Sequence, residues 1–452
     1  MGRVAESGNT GIVPGSDLNF PLKLARLAGS LRRNRRRTAA WPARTSEPGI
    51  SVVIPSRNGK GLLEAQMPDI WRQLAGHAAE VIVVDNGSDD GTAQWLASSW
   101  PKVQADISPK PLGFAGAVNR GIEQARYSHV CLLNNDMQVE ADFFSALRRA
   151  FDSVSDLFCA TAQIFFPPGA RREETGKAFL GPAKPDDFPV RCDEPLAGED
   201  QTYVLYGSGG CSLYHAEKLR ALGGMDRAYE PVYVEDMDIG YRAWQRGWPS
   251  VYVAGARVVH QHRATTSKYF TEQQLEEMLE VNYLKFLARD IASKETFKRL
   301  WDEALERLRI RAGHGNQAAV RAVRAAWKIA LAGGGGISPA FPEEQLLALG
   351  NGTSAVFPGR PRKVKLLTVS REIYPAGDVL VAYTDELHTP PAEVLDACSE
   401  AVLVRRGGGH AAFHAALRQT VRKWRPERVN LRGQEMARYA ADCSPALVER
   451  VD

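Results

Sequence analysis

The sequence predicts an α/β protein built on a mostly parallel sheet flanked by helices. Three apolar, β-branched runs carry that prediction: "ISVVIPS" (Ile50–Ser56), "EVIVVD" within Glu80–Thr92, and "HVCLLNND" from His129. Each run is continuous rather than alternating, as in strands buried on both faces, and each stops on a polar cluster. Segments of helical period separate the runs, and strand–helix alternation at this spacing produces parallel pairing.

In chain order, residues 1–49 read as a basic, partly disordered leader. Within it "LNFPLKLARLAGSLRRNRRR" (Leu18–Arg37) forms a short basic amphipathic helix, which attaches to anionic lipid, packs on the body, or stays a solvated tail. Residues 50–292 hold the first α/β domain. Its helices fall at Leu62–Ala75, Thr92–Ser99 and Ala115–Ala125, the last entered through "PLGFAGAVNRG". Residues 165–200, rich in Pro, Gly and charge, read as a long loop. "YGSGGCSLYHAEKLRALGG" resumes with a strand and a helix, and Glu272–Ile291 is helical. Residues 293–361 form a helical region ending in a linker marked by Gly333–Gly336. That Gly run follows no strand, so it is not a dinucleotide loop. Residues 362–452 form a small α/β domain with strands at Lys363–Ser370, "DVLVAYT", Glu400–Arg406 and "PERVNLRG", and an amphipathic helix over His410–Trp424.

Composition narrows the function. Residues 1–49 hold nine Lys or Arg against three acids, so +6 sits there, while the whole chain carries only +4. The folded body is therefore near −2, which argues against nucleic-acid binding. The six cysteines are scattered without a C-x-x-C pair, which fits a reducing compartment rather than a disulfide or zinc framework. No apolar run reaches membrane-spanning length, and the amino terminus lacks a signal core. The expected location is cytoplasmic, with peripheral contact at the inner face of the membrane through the basic leader.

A parallel sheet delivers its carboxyl ends to one edge, where ligands bind. Three clusters arrive there: Pro55-Ser56-Arg57-Asn58, Asp85-Asn86-Gly87-Ser88 and Asn134-Asn135-Asp136. Asp85 suits hydrogen bonds to a base or ribose, and Gly87 permits close backbone approach. Asp136 suits a hard divalent cation, or is simply a turn former. Glu235, Asp236 and Asp238 crowd the start of a helix, where acids also serve as caps. Crowding of carboxylates raises a pKa, which suits a general base. Asp238 and Arg242 share one helix face. His260 and His262 share one face of a strand.

Together "SVVIPSRN", "VIVVDNGSDDGT", "PLGFAGAVNRG", "LLNNDM", "VYVEDMDIGYRAWQRGW" and "VVHQH" resemble, in order, the motifs of family-2 inverting glycosyltransferases of the GT-A fold, nearest a rhamnosyltransferase-like subgroup. The resemblance covers about residues 50–290. It implies that Asp85 reads the base and ribose, that Pro55 and Asn58 belong to the first nucleotide-pocket strand, and that Asn119 and Arg120 meet the donor. Arg57, Gly87, Gly113, Phe114, Asn134, Asn135 and Arg242 complete the donor side. Asp136 resembles the last acid of a D-x-D motif that holds Mg²⁺ or Mn²⁺ on the diphosphate, with His260 added to that site. Asn134 stands where the first acid would be, a departure from the pattern. Asp236, with Glu235 beside it, resembles the catalytic base.

The resemblance thus implies metal-assisted, single-displacement transfer. A sugar moves from a nucleotide-diphosphate sugar (dTDP-rhamnose or a UDP-hexose) to a hydroxyl of a glycan or lipid-linked saccharide. Two other classes stay open: a degenerate nucleotide-sugar-binding or assembly protein, motivated by Asn134, and a sugar nucleotidyltransferase, for which "IPSRNGKG" is a weak pointer. "KVKLLTVSREIYP" and "WRPERVNLRG" resemble the amino-terminal half of a GT-B, family-4-type glycosyltransferase, without the half that would bind a nucleotide sugar.

Overall fold

The structure, a computed structural model, describes residues 18–32, 40–154, 156–167, 173, 176–181, 184–261, 266–334, 343–349, 354–406 and 409–451. The segment 1–17, Arg33, Arg35, Arg36, Arg37 and His262 lie outside them.

Helix α1 (Asn19–Ser30) leads into strand β1 (Glu47–Ser56), α2 (Lys60–Leu74), β2 (Ala79–Asn86), α3 (Thr92–Ser99), β3 (Gln104–Ser108), α4 (Phe114–Gln124) and β4 (Tyr127–Leu133). Then come β5 (Met137–Val139), α5 (Phe143–Ser153), β6 (Cys159–Phe165), β7 (Lys177–Leu180), β8 (Val190–Asp193), β9 (Tyr203–Val204) and β10 (Cys211–His215). Helices α6 (Ala216–Ala221) and α7 (Glu235–Trp244) precede β11 (Ser250–His260). A nine-stranded sheet runs β3-β2-β1-β4-β10-β6-β11-β5, with β9 also on β11. The β3-β2-β1-β4 block and the β6–β11 pair are parallel. Strand β10 is antiparallel to both neighbours, and β5 and β9 are antiparallel to β11.

The continuous apolar runs are explained by this burial. Val52 and Ile54, Val81 and Val83, and Cys131 and Leu133 face one core. Val53, Ile82, Val84, Val130 and Leu132 face the other. Successive strand residues point to opposite faces, so a strand covered on both sides needs apolar residues at every position.

The expected 165–200 loop contains the antiparallel pair β7–β8. It is pinned by Lys177, whose ammonium lies 2.7 Å from Glu199, with both side chains buried.

Helices α8 (Glu272–Asp290), α9 (Lys294–Gly313) and α10 (Gln317–Ala332) form a bundle against α7. A Thr271–Gln274 capping box starts α8, and the Ser293 and Asn316 side chains cap α9 and α10, satisfying amide donors left open at each start. Helix α1 packs on this bundle through Leu22, Ala25 and Ala28. The Trp301 indole donates to the Ala25 carbonyl at 3.1 Å. Arg32 donates to the Ala288 and Ile291 carbonyls at the end of α8. Of the readings open for the leader helix, one of its faces takes the packed one. Among the described residues no helix is long and apolar enough to cross a membrane.

After the short helix α11 (Glu343–Leu349), a second sheet runs β12 (Ser354–Pro358), β15 (Glu400–Arg405), β14 (Val379–Thr384), β13 (Leu366–Ser370), β16 (Arg428–Arg432) and β17 (Leu447–Val451). Helices α12 (Ala392–Ala397) and α13 (Gly409–Trp424) pack on it. All its neighbours are parallel except β12, which is antiparallel to β15. This sheet begins at Ser354, ahead of the expected boundary at residue 362. It joins the first domain through Asp200 and Thr202: the Asp200 amide donates to the Val356 carbonyl, and the Val356 amide donates to the Thr202 hydroxyl.

Candidate active site

The parallel register sets Ser56 beside Asp85 and brings the ends of β1, β2 and β4 to one edge. Beyond β1, the Asn58 amide donates to the Ser88 hydroxyl at 2.9 Å, and the Asn58 side chain accepts from the Asp89 amide. Asp85, buried at the end of β2, accepts from the Ser88 amide. Gly87 has φ of +72° and lies so near Pro111 that a side chain there would collide with it. Beyond β4, the Asn135 side chain donates to Ser56 at 2.9 Å, and Gln66 holds the Asn134 carbonyl at 2.8 Å.

These ends enclose a crevice of about 150 Å³, lined by Pro55, Arg57, Phe114, Asn134, Asn135 and Asp136 and roofed by Tyr269 and Phe270. The Arg57 guanidinium lies 3.8 Å over the Tyr269 ring.

Beside Asn134, the buried strip Gly209–Gly210 separates it from Asp236, which is not one of the residues lining the crevice. The Gly210 carbonyl accepts from the Asn134 amide at 2.8 Å, and a Cβ at Gly210 would meet the Asn134 side chain at 2.5 Å. The Gly209 amide donates to the Asp236 carboxylate at 3.3 Å. The sequence signal for this close approach is "GSGG" before β10, where small residues let the two backbones meet.

Asp236 sits in the first turn of α7 after Tyr233 and Val234, both left-handed, with φ of 77° and 76°. That conformation is costly for a β-branched residue and concentrates where function demands it. Glu235 and Asp236 have divergent environments. Burial, with the adjacent carboxylates, pushes Glu235 well above the usual range. Burial also raises Asp236, but the Gly209 and Met237 amides favour its ionised form and leave it at about 6. One carboxyl is thus kept neutral while its neighbour can hold or release a proton near neutrality.

His260 ends β11 with its Nε2 3.6 Å from Asp136 and its Nδ1 2.9 Å from Glu173. Burial opposes its charge, yet the two carboxylates prevail and raise the imidazole to about 9. Nothing in the local sequence around Glu173 marks it; its amide donates to the Ile164 carbonyl of β6, and its carboxylate reaches His260.

Among the described residues no three His, Cys, Asp or Glu side chains form a ready metal cage. The oxygens nonetheless fit a hard cation shared with phosphates. Among the described residues neither Asp136 Oδ1 nor Asn134 Oδ1, both buried, has a hydrogen-bond partner, and Mg²⁺ is commonly held by one or two protein carboxylates together with substrate phosphates.

Three expected donor residues lie elsewhere. Asn119 brackets the backbone of Met225 with both ends of its amide, and Arg120 pairs with Asp106 at 2.9 Å. Arg242 is buried against Asp238 and the Leu222 and Gly224 carbonyls. All three border a separate hollow with Trp41. Gly113 caps α4 where the Glu230 side chain crosses it, which leaves no room for a Cβ.

Residues 51–223 match the family model described as glycosyl transferase family 2. An N-acetylglucosaminyl-diphospho-decaprenol L-rhamnosyltransferase of Mycobacterium tuberculosis is 29% identical over 210 residues, 42% of this chain and 68% of that protein. An uncharacterized protein of Sinorhizobium fredii is 24% identical over 261 residues, 55% of this chain but only 28% of its own length. A crystal structure of GalNAc-T7 with UDP, GalNAc and Mn²⁺ aligns with a TM-score of 0.45 at 15% identity, covering 56% of this chain and 50% of that one.

Proposed function

We propose that this chain transfers a sugar from a nucleotide-diphosphate sugar, dTDP-rhamnose or a UDP-hexose, to a hydroxyl of a saccharide or lipid-linked glycan, with inversion. The observation that carries the proposal is Asp236, a carboxyl poised near 6 beside a neutral Glu235, across a two-glycine strip from the Asn134–Asp136 turn. The rhamnosyltransferase relative supports the donor class.

Asp236 takes the proton of the acceptor hydroxyl. The freed electron pair forms the new bond to the anomeric carbon as the bond to the diphosphate breaks, and the nucleoside diphosphate leaves with that pair. A single displacement from the opposite face inverts configuration, so no enzyme nucleophile is required. Glu235, protonated, adds no charge beside the developing nucleophile. Asp85 and Asn58 hold the nucleoside side, and the crevice walls Pro55, Arg57 and Phe114 exclude water.

Asp136 and Asn134, joined by His260 once its ring gives up the proton that the two carboxylates hold on it, would hold Mg²⁺ or Mn²⁺, which when bound neutralises charge on the leaving diphosphate. Glu173 fixes the His260 ring by taking its Nδ1–H, leaving Nε2 directed at Asp136.

Thermal-shift binding tests the reading with UDP, dTDP, GDP and ADP, each with Mn²⁺ or EDTA. Stabilisation by one base that depends on Mn²⁺ is expected. Indifference to all four would instead support the degenerate assembly protein that Asn134 suggests.

A further inference from the structure

Helix α1 is apolar on two faces. Leu22, Ala25 and Ala28 bury one against the α8–α10 bundle. Phe20, Leu27 and Leu31 remain 70%, 57% and 59% exposed. At 100° per residue, positions 20, 27 and 31 fall within about 40° of one another, so these side chains form a single outward stripe. Three large apolar residues on one helix face are a patch, not the scattered exposure that needs no explanation.

The bundle holds the stripe rigidly. The Trp301 indole and the Ala25 carbonyl fix the helix, and Gly29 lies flush on the Trp301 ring, where a Cβ would stand 2.9 Å from it. Arg32 is committed to the Ala288 and Ile291 carbonyls. Lys23 is exposed beside the stripe. Arg26, on the flank, reaches toward Asp302 and Glu306 at 3.8 and 3.9 Å.

We infer that this stripe is a docking face for an anionic lipid surface, with Phe20, Leu27 and Leu31 entering the headgroup–acyl boundary. Charge selects this occupant: residues 1–49 carry nine basic and three acidic residues, against a body near −2. Anionic headgroups attract such a segment, while a second copy of the chain would set two basic segments against each other. The stripe is also small, on the order of a few hundred Å², well short of the ~800 Å² per partner of a stable protein interface. Residues 1–17 are poor cover, since Val4, Ile12 and Val13 are their only large aliphatic residues after Met1. The inference goes beyond the transfer reaction and does not depend on it.

The test is co-sedimentation of the full chain with phosphatidylcholine vesicles, with and without phosphatidylglycerol, in the absence of nucleotide and acceptor. Binding to the anionic vesicles should exceed binding to the neutral ones about tenfold or more and should fall as salt is raised. The combined change Phe20→Ser, Leu27→Ser and Leu31→Ser should lower it about tenfold or more at an unchanged melting temperature. Lys23→Glu should lower it without touching the apolar stripe. Equal binding to both vesicle types, no binding, or full binding by the triple variant would overturn the inference. So would a dimer by light scattering that the triple variant abolishes, or a triple variant that melts early, since either would assign the stripe to a protein partner or to this chain. A failed donor panel would leave these outcomes unchanged.

Discussion

The side-chain amide of Asn282, buried in α8, donates to the Tyr233 carbonyl at 3.1 Å, three residues before Asp236. The same nitrogen reaches the Tyr229 and Val232 carbonyls at 2.7 and 2.8 Å, and Lys285 donates to the Asn282 oxygen. Asn282 therefore secures the left-handed Tyr233–Val234 turn from which Asp236 projects. Asn282→Leu should let that turn relax. Turnover should fall about a hundredfold, while affinity for the nucleoside diphosphate stays within about twofold. Steady-state kinetics alongside calorimetric titration of the nucleotide separates the two effects.

Asp236→Asn should cost about 10²–10⁴ in turnover, with donor affinity retained. Full activity in that variant would remove the base assignment.

Stability should move the other way in the same variant. The folded pKa of about 6 lies above the ordinary value of 3.8, so between them the folded chain holds a proton that the unfolded chain has released. Ionising Asp236 costs stability as pH rises through about 6. At pH 8 Asp236→Asn should melt no lower than the parent chain, and at pH 4 the difference should vanish. Activity of the parent should climb with pH through about 6. A profile flat from pH 5 to 8 would exclude Asp236 as the titrating group.

Glu173→Gln should weaken Mn²⁺ binding in the presence of the nucleoside diphosphate about tenfold to a hundredfold. An amide oxygen orients His260 less firmly than a carboxylate. Glu173→Asp should recover part of the loss, and nucleotide affinity in EDTA should not change. Titration followed by the Mn²⁺ paramagnetic resonance signal reads this without turnover.

Lys177→Met should destabilise the chain by about 3–5 kcal/mol, because Glu199 would keep a buried charge without its partner. Replacing Glu199 by Leu as well should restore much of the loss in chemical denaturation.

Strands β1, β2 and β4 were legible because each is buried on both faces, so their composition alone announces them. Their carboxyl-terminal clusters were legible for the same reason: polar residues cannot continue such a run. The insertion of β10 between β4 and β6, antiparallel to both, was not, since lateral order is decided by the packing of whole elements rather than by any local pattern. Asn119, Arg120 and Arg242 illustrate a second limit. The resemblance implies a donor role for them, but Asn119 and Arg120 are taken up by Met225 and Asp106 from other segments, and Arg242, beyond its pair with Asp238 on the same helix, is taken up by the Leu222 and Gly224 carbonyls. Glu173 was invisible because its role arises only from a contact with His260, far along the chain.

The clamp from α8 also bears on modularity. The segment that matches the family model ends at residue 223, ahead of Asp236, His260 and Asn282. A chimera that grafts only that segment would inherit the edge of strand ends without Asp236, the residue proposed to activate the acceptor. Exchanging acceptor preference between such proteins should require moving the stretch from Gly209 through α8 as one cassette, because the strained turn and the helix that restrains it are useful only together.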